Sequence, residues 1–544
     1  MRPAVPKTAW YFSLGAVIAL PAFLKPIQNP DLFWHLSAGR RLAETGTFVR
    51  EDFLSWTLAG APWSNFEWLV QLIYHWLHSA GGFGGLFLLK AALLSACLVP
   101  LWGILKLNSR GSYAPALLPL FAFALIPHSD LRPDNFSLLF FMLTLWRLEA
   151  LRAGRVPPSA RDAAAGTALF ALWGNLHPAF VLGLVLLAAY AAGAAREGAP
   201  LRRWLLLGGL CAAAPLVNPN GWLVYGAVLS HQSQAAELSR YIAEWARPSF
   251  GEPSHRPALL AAAAAAALLF RALFKKRPVP AAHLACLVFF TAAALLHARH
   301  MLFGVPVLTA LGAGLLPPPE KGSRPAAQAA VVLLLFVFAL PPLDQLLDRK
   351  GALPYRSPSA AAYLKEKAPA LAGLKMLNTW AWGGWLGYEL GPSGYRVFAD
   401  GRYLFHRFLP ELVRPFTAEE WAEFLERRGF GLAVLPPGRF PPPPEAEWAL
   451  LFWDMKLAVY ARRRSLPPAG AGLTELKYLR PGGDGEALEL ARAGRVGRRE
   501  LEKEAARLGA FQDPADPFSL AGPLDGWRAA LEGVCSSPGA ACRP

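Results

Sequence analysis

The sequence predicts a mainly helical fold: a polytopic transmembrane bundle, followed by a small α/β domain and a polar tail. Of 544 residues, 54% are hydrophobic and only 17% are charged, and the mean hydropathy is +0.29. These values are too apolar for a soluble chain of this length. In the first part of the chain, apolar runs recur whose lengths are close to that of a membrane-spanning helix. Further along the chain, alternating strand and helix patterns replace them. The predicted domains cover residues 1–350, 351–465 and 466–544.

Apolar runs of about 17–25 residues are expected to cross a membrane as helices. The first run follows Arg2 and Lys7, as in a signal peptide, but no A-x-A-like cleavage site follows it, so we count it as a span. About eleven candidates occur, several of them short for a full crossing: Thr8 to Pro26, Phe83 to Leu105, Ser112 to Pro127, Phe136 to Ala150, Ala163 to Gly174, Ala179 to Gly193, Trp204 to Val217, Ala258 to Phe274, Ala281 to Leu296, Met301 to Leu316 and Ala326 to Leu343.

The loops alternate in character, as expected when Lys and Arg are retained on the cytoplasmic side. Every second loop is basic if the amino terminus is cytoplasmic, which also explains the net charge of +16 without nucleic acid. The other loops carry HSDLRPDN, GNLHP, VNPNGW and HARH and would lie outside. An odd number of spans then makes the α/β domain extracytoplasmic. We expect an integral protein of the inner or plasma membrane, in contact with the lipid bilayer.

The predicted first outer loop, residues 28–78, mixes acids and tryptophans to an unusual degree. One interpretation is a site at the membrane surface; the other is an interfacial segment whose tryptophans lie at headgroup depth and whose acids are solvated. Polar and ionisable residues at membrane depth are costly and tend to mark sites or pathways. Seven such residues are expected on this one face of the membrane: Asp31, Asp52, Glu67, Arg132, Asp134, His177 and Arg299.

Some of this polarity has a simpler explanation, because short outer loops need polar residues and NP or HP pairs commonly end helices. That explanation fits Pro178 and Pro219. It leaves Arg132 and Arg299 unexplained at span ends, beside Asp134 and His300.

The α/β domain is predicted from alternating patterns after Tyr355. SPSAAAYLKEKAPA and EEWAEFLERRG read as helices, LKMLN, YRVFADGR and FGLAVLPP as strands, and WALLFWDMKLAVYARR as a hairpin. TWAWGGWLGYELG is expected to form a compact turn or a ledge on the membrane. The DGR at Asp400 to Arg402 follows a predicted strand, where α/β domains often place functional loops, although an ordinary Asp-Gly turn is the alternative.

The tail from Ser465 is expected to be flexible, with one helical stretch at about residues 485–508. Cys535 and Cys542 could pair if the tail lies outside the membrane. The remaining cysteines lie in apolar runs and are expected to pack there: Cys97, Cys211 and Cys286.

Several motifs together resemble the GT-C superfamily of membrane glycosyltransferases over residues 8–464. They are DLFWHLSAGRRLAETGTFVREDFLSWTLAGAPWSNFEWL, LRPDNFSLLF, LWGNLHPAFVLG, NPNGW, ARHMLFGVP, NTWAWGGWLGYEL and VFADGRYLFH. The resemblance implies glycosyl transfer on the outer face of the membrane from a polyprenyl-phosphate-linked sugar. It also implies an essential carboxylate in the first outer loop, which matches Asp31 best, and a second acidic position that matches Glu51 or Asp52. No acceptor-recognition motif is present.

The required chemistry agrees with these residues. A carboxylate can take the proton of an acceptor hydroxyl, and Asp31 is the candidate, with Glu51 and Asp52 as alternatives. Fixed cations can stabilise a departing phosphate, for which Arg132 and Arg299 are favoured over Arg402. His35, Glu67 and His177 complete the predicted substrate-binding set. Mg²⁺ or Mn²⁺ could bind carboxylates such as Asp31 and Asp52, but no tight ligand spacing demands a metal.

Two other function classes remain open from the sequence. A transporter or flippase for a lipid-linked substrate would use the same arginines along a path, but no paired internal repeat is visible. A non-catalytic membrane scaffold presenting the α/β domain would leave the outer-loop acids unexplained. In any of these classes, the tryptophan-rich segments of the first loop and of the α/β domain are expected to bury against each other. Arg402 would then meet an outer-loop acid or a substrate phosphate.

Overall fold

A computed structural model describes residues 7–317, 353–414, 416–466, 472–516, 518–537 and 541–543. The chain divides into two compact units. The first contains Met1–Asn29, Ala38–Val49 and Ser64–Ala352, and the second contains Pro30–Ser37, Arg50–Trp63 and Leu353–Pro544. Two pieces of the first loop therefore belong to the same unit as the α/β domain.

The first unit is helical throughout its described part. Most of its helices occur where the sequence has apolar runs, and Leu223–Leu238 is an additional helix that was not predicted as a span. The α-helices of this unit are Lys7–Ala19, Trp68–Ala96, Leu98–Leu107, Ala114–Ala124, Asp134–Gly154, Ala160–Leu176, Phe180–Arg196, Leu201–Ala213, Leu223–Leu238, Arg256–Phe274, Ala281–Leu296 and Met301–Ala310. A further helix, Leu32–Thr45, begins in the second unit and continues into the first.

Three helical stretches within the described residues are long and apolar enough to cross a membrane: Trp68–Leu107, Pro253–Phe274 and Ala298–Leu315. Shorter apolar helices include Phe180–Arg196 and Ala281–Leu296. The predicted count of about eleven spans is therefore not confirmed. The last predicted span, residues 326–343, lies outside the described residues. The first loop is also shorter than predicted, since a helix already begins at Trp68.

A buried polar network joins four helices of the first unit. Glu149 has no exposed side-chain surface and accepts hydrogen bonds from Arg152 at 2.9 Å and from Asn108 at 3.0 Å. It also contacts His283 at 2.7 Å and the hydroxyl of Tyr190. Because a buried carboxylate is stable only when its oxygens are paired, this network fixes the mutual positions of those helices.

The second unit contains a four-stranded mixed sheet. Its strands are β1 (Met376–Asn378), β2 (Leu432–Leu435), β3 (Trp448–Trp453) and β4 (Ala458–Arg462), in the order β1-β2-β4-β3. Strand β1 runs parallel to β2, and the other pairs are antiparallel. The helices of the domain are Pro358–Glu366, Ala368–Leu371, Trp380–Leu390, Leu409–Val413 and Ala418–Arg427. A small α/β domain is present, as predicted.

Residues 50–63 of the first loop form part of the core of this unit. The Trp56 indole donates to the Met376 carbonyl at 2.9 Å, and the Thr57 hydroxyl donates to the Phe398 carbonyl at 2.5 Å. Leu58 belongs to the same buried apolar cluster as Phe398 and Trp421. The expected burial of the first-loop aromatics against the domain is therefore present within this unit.

Two local predictions in the domain were wrong. YRVFADGR does not form a strand; among the described residues, its one ladder contact is an isolated bridge between Ser55 and Val397. The glycine-rich TWAWGGWLGYELG does not form a compact turn but the helix Trp380–Leu390. Glycine disfavours helices in isolation, but here close packing that only glycine allows offsets the propensity.

The described part of the tail contains three helices, where one was expected: Asp484–Arg492, Arg498–Gly509 and Ala521–Ser536. The buried Glu504 carboxylate accepts from the backbone N–H groups of Lys477, Tyr478 and Leu479 at 2.5–2.9 Å, which orders the tail itself. The tail is also attached to the domain: the Trp453 indole donates to the Leu479 carbonyl at 2.9 Å, and the Gln512 amide donates to the Trp453 carbonyl at 3.1 Å. Cys535 and Cys542 form a disulfide, and the other three cysteines are buried and free.

Candidate functional site

The Asp31 carboxylate lies directly against the DGR turn of the second unit. A Cβ atom added to Gly401 would lie 1.8 Å from Asp31 Oδ1 and 3.3 Å from Trp34 Nε1. The helix that begins at Leu32 starts just after Asp31, and the Asp31 carbonyl accepts from the His35 N–H at 3.2 Å. Gly401 is therefore required for Asp31 and Trp34 to take these positions.

Two glycines of the Trp380–Leu390 helix, Gly383 and Gly384, also contribute to the placement of Asp31; together with Gly401 they form what we call the seat of Asp31. A Cβ at Gly383 would lie 1.8 Å from the Ala399 carbonyl oxygen, and one at Gly384 would lie 3.0 Å from the Pro30 carbonyl oxygen. The helix thus contacts the backbone of the DGR turn through Gly383 and the backbone before Asp31 through Gly384. The W-G-G and D-G-R motifs work together to place Asp31.

Arg402 is fully buried between two carboxylates. It contacts Asp52 of the first loop and donates to Asp400 at 2.7 Å, and all three side chains are inaccessible to solvent. Burial alone would lower the pKa of Arg402, but Asp400 and Asp52 outweigh it and hold the pKa above its usual value. The guanidinium also lies 4.7 Å from the Trp63 ring centre. One cation between two anions leaves no surplus positive charge for a phosphate.

Asp52 has further partners that favour a structural role. Its carboxylate accepts from the Ser55 hydroxyl at 2.5 Å and from the backbone N–H groups of Leu54 and Ser55 at 3.3 Å. Glu51 is exposed and forms an isolated bridge with Pro62, so the two neighbouring acids point to different surroundings. His35 is buried, and its ring stacks on Trp34 with a centroid distance of 3.6 Å.

In the first unit, the two predicted phosphate-binding arginines meet at one carboxylate. Arg132 and Arg299 both pair with Glu244, the second at 3.0 Å, and each keeps about a third of its side chain exposed. Burial alone would raise the pKa of Glu244, but the two guanidiniums outweigh it and lower the pKa to about 2. Arg299 also lies over the Trp245 ring at 5.3 Å. The cluster carries one net positive charge and is open to solvent.

Glu67 and His177 also come together in the first unit, with 3.8 Å between Glu67 Oε1 and His177 Nε2. Asp134 begins the helix Asp134–Gly154 and is buried. Asp130 fixes the end of the first helical segment, because its carboxylate accepts from the Gln28 N–H at 3.0 and 3.1 Å.

The carboxylates do not converge on a metal site. Within the described ranges, no group of three or more His, Cys, Asp or Glu side chains is arranged to hold a metal ion. Asp52, one of the two predicted ligands, is already occupied by Arg402. The possible Mg²⁺ or Mn²⁺ ion is therefore not confirmed, and no step of the proposed reaction uses a metal.

Comparison with known proteins gives a fold. No protein-family model matches the sequence, and no curated protein sequence matches it. The structure is similar to the oligosaccharyltransferase of Archaeoglobus fulgidus, solved with a tethered acceptor peptide. The identity is 13% and the TM-score 0.51, over 85% of this chain and 75% of that one.

Two further structures align with lower scores. ArnT from Cupriavidus metallidurans aligns at 14% identity and a TM-score of 0.46, over 85% of this chain and 98% of that one. The arabinofuranosyltransferase AftD from Mycobacteria aligns at 15% identity and 0.47, over 86% and 42%. The oligosaccharyltransferase comparison shows the fold alone: the chain shares the fold of that protein, as expected from the GT-C resemblance.

Sequence reasoning missed Glu244 and the three glycines. Glu244 lies in the segment between VNPNGW and the next predicted span, and nothing local distinguishes it from a solvated acid. The glycines were visible as W-G-G and D-G-R motifs. Their meaning required the contact between Asp31 and Gly401, which lie far apart in the sequence.

Proposed function

We propose that the protein is a membrane glycosyltransferase that moves a sugar from a polyprenyl-phosphate-linked donor to an acceptor on the outer face of the membrane. The observation that carries this proposal is the seat of Asp31. Gly401 lies against the carboxylate and the neighbouring indole N–H, while Gly383 and Gly384 let the Trp380–Leu390 helix approach the DGR turn and the backbone beside Asp31. Such convergence is expected where a reacting group must be held to within a fraction of an ångström.

Asp31 is the proposed general base. Its carboxylate takes the proton of the acceptor hydroxyl as that oxygen forms a bond to the anomeric carbon. The bond from the anomeric carbon to the phosphate oxygen breaks, and polyprenyl phosphate leaves with the electron pair. The indole N–H of Trp34 and the Asp31 carboxylate both lie against Gly401.

The leaving phosphate needs fixed positive charge. Arg132 and Arg299 are proposed for this role because both remain partly exposed and outnumber their shared partner Glu244. Arg402 is less suited, since it is buried and outnumbered by carboxylates. We therefore propose that Arg402 and Asp52 hold the Asp31 seat together and do not contact substrate.

The test is release of polyprenyl phosphate by the full-length protein in lipid nanodiscs. Synthetic polyprenyl-phosphate pentoses and hexoses serve as donors, and a membrane extract supplies acceptors. Asp31→Asn preserves size but removes the base, so release should fall by about 10²–10⁴-fold. Glu51→Gln, at an exposed neighbouring acid, should retain activity. Full activity in Asp31→Asn, or no release from any donor by the wild type, would overturn the proposal.

A further inference from the structure

The loop between β2 and β3, residues 436–447, is stiff and fixed to the sheet. Six of its twelve residues are proline, which fixes φ and has no N–H group. The Arg463 guanidinium donates to the Glu445 carbonyl at 3.1 Å, and the Trp448 N–H donates to the Pro444 carbonyl at 2.9 Å. A loop held in this way keeps its shape before any ligand arrives.

This loop and the sheet border a cavity of about 300 Å³, at the lower end of the range for small-molecule sites. Leu450 and Tyr460 lie opposite each other in the β3–β4 ladder and line the cavity from the sheet. Phe440 and Trp448 add two more aromatic rings to the lining. The Phe440 ring is stacked on Trp421 with a centroid distance of 5.2 Å, which fixes its position. Much of the lining is therefore apolar and aromatic.

Four polar side chains also line the cavity: Glu445, Glu475, Arg480 and the phenol of Tyr460. Burial raises the pKa of Tyr460, and Arg480 and Glu445 act on that pKa with opposite signs, so the three groups lie near one another. Within the described ranges, the Tyr460 hydroxyl forms no hydrogen bond. It can therefore serve a ligand both as a donor and as an acceptor.

The charges of the lining are already matched. Glu445 pairs with Arg480, and the Glu475 carboxylate accepts from Arg463 at 2.5 and 2.9 Å. A phosphate or an ammonium group would meet a like charge beside each opposite one. A hydroxyl can accept from a guanidinium and donate to a carboxylate without separating either pair. The polar groups thus favour a neutral ligand with several hydroxyl groups.

The aromatic lining adds a second requirement, because the ligand must also present an apolar face. Sugar rings have such a face, made of C–H groups that pack on the negative faces of aromatic rings. Their hydroxyl groups project from the edge of the ring and remain available for hydrogen bonds. A sugar ring therefore meets both requirements.

We infer that this cavity is a binding site for a neutral saccharide. The sugar ring packs against Phe440 and Trp448, and its hydroxyl groups bond to Tyr460, Glu445 and Arg480. The ligand class follows from the cavity alone. Its assignment to the acceptor rests on the proposed function, in which the donor sugar is bonded to a phosphate for which the cavity has no surplus positive charge.

The test is saturation-transfer NMR on the full-length protein in lipid nanodiscs, with no donor lipid present. Methyl glycosides of common neutral hexoses and pentoses are titrated, with an amino sugar glycoside and a uronic acid glycoside as charged comparisons. At least one neutral glycoside should bind, and it should bind more tightly than the charged ones. No binding of any neutral glycoside, or tighter binding of a charged one, would overturn the inference.

Variants locate the binding within the protein. Tyr460→Phe removes only a hydroxyl and should weaken binding about 3–10-fold, whereas Arg480→Gln removes a charged donor and should weaken it about 10-fold or more. Tyr478→Phe and Arg439→Gln are the matched controls, because these two side chains lie outside the lining, and both should bind as the wild type does. Wild-type affinity in both Tyr460→Phe and Arg480→Gln would contradict the inference.

The same measurement separates this inference from the proposed function. Asp31→Asn should keep glycoside binding, because the proposed base is not part of the lining; loss of binding in that variant would place the saccharide elsewhere and overturn the inference. Glycoside binding by a protein that releases no polyprenyl phosphate would support the cavity as a saccharide site and refute the glycosyltransferase proposal. Release of polyprenyl phosphate without glycoside binding would refute the saccharide site alone.

Discussion

Gly401→Ala tests the seat of Asp31 at a residue that has no side chain of its own. The added Cβ would lie 1.8 Å from Asp31 Oδ1, whereas ordinary contacts begin at 3.4 Å. The carboxylate must therefore retreat by roughly 1.5 Å, and a displacement of about 1 Å of a reacting group can cost about 10²-fold in rate. We expect polyprenyl phosphate release to fall by about 10²-fold.

The expected cost in stability is much smaller than the cost in rate. Overpacking a folded protein typically costs about 1–3 kcal/mol, and the value here should be near the lower end because the clashing atom ends a rotatable side chain. Urea unfolding followed by tryptophan fluorescence measures it. Gly391→Ala is the matched control, since an added Cβ there meets nothing within 4 Å and its φ is −51°. That variant should keep full activity.

A double variant separates a clash with Asp31 from a general disturbance of the turn. In an Asp31→Ala background the Oδ1 atom is gone, so Gly401→Ala should lose most of its effect on stability. An unchanged stability loss in that background would contradict the geometry. Full activity of Gly401→Ala alone would refute the idea that the glycine serves the base.

Three other predictions concern charge. Arg402→Met removes the cation between two buried carboxylates and should lower the unfolding free energy by about 3–5 kcal/mol. Lys365→Met is the control, because it breaks an exposed ion pair and should cost below about 1 kcal/mol. Equal losses in the two variants would contradict a structural role for the buried Arg402 ion pairs. The lowered pKa of Glu244 means that its ion pairs stabilise fully above about pH 5 and less as the pH falls toward 2. Glu244→Gln should weaken the pH dependence of the unfolding free energy in that range. An unaltered pH dependence would mean that the ion pairs of Glu244 do not stabilise the fold. Alkaline phosphatase fused after Arg464 should be active outside the cytoplasm; an active cytoplasmic reporter there would reverse the predicted orientation.

Helix positions and the strands of the domain could be predicted because apolar periodicity is a local property. The runs of the first unit lie where helices occur, and FGLAVLPP and WALLFWDMKLAVYARR contain β2, β3 and β4. The contact of Arg402 with an outer-loop acid was also expected from the two tryptophan-rich segments, and Asp52 is that acid. Its functional role stays a prediction.

The remaining features depend on contacts between distant segments. YRVFADGR has the composition of a strand, but within the part of the chain that the structure describes it forms a single bridge, to the first-loop residue Ser55. Glu244 resembles a surface acid until folding brings it to Arg132 and Arg299, which lie 112 and 55 residues away. Periodicity carries no information on such pairings.

Charge alone could not identify the site, because the candidate acids of the first loop carry the same carboxylate group and differ only in their surroundings. Asp52 is neutralised in a buried ion pair, Glu51 is solvated, and Glu67 faces a histidine. Asp31 differs in lying against backbone at a position where a methyl group would displace it. A folded chain accepts such a backbone approach only where glycine allows it, and each glycine costs conformational entropy. The glycines of W-G-G and D-G-R therefore mark a place where the chain accepts this entropic cost so that the Asp31 carboxylate can lie against the backbone. We regard this placement as stronger evidence for a reacting group at Asp31 than the charge of the carboxylate.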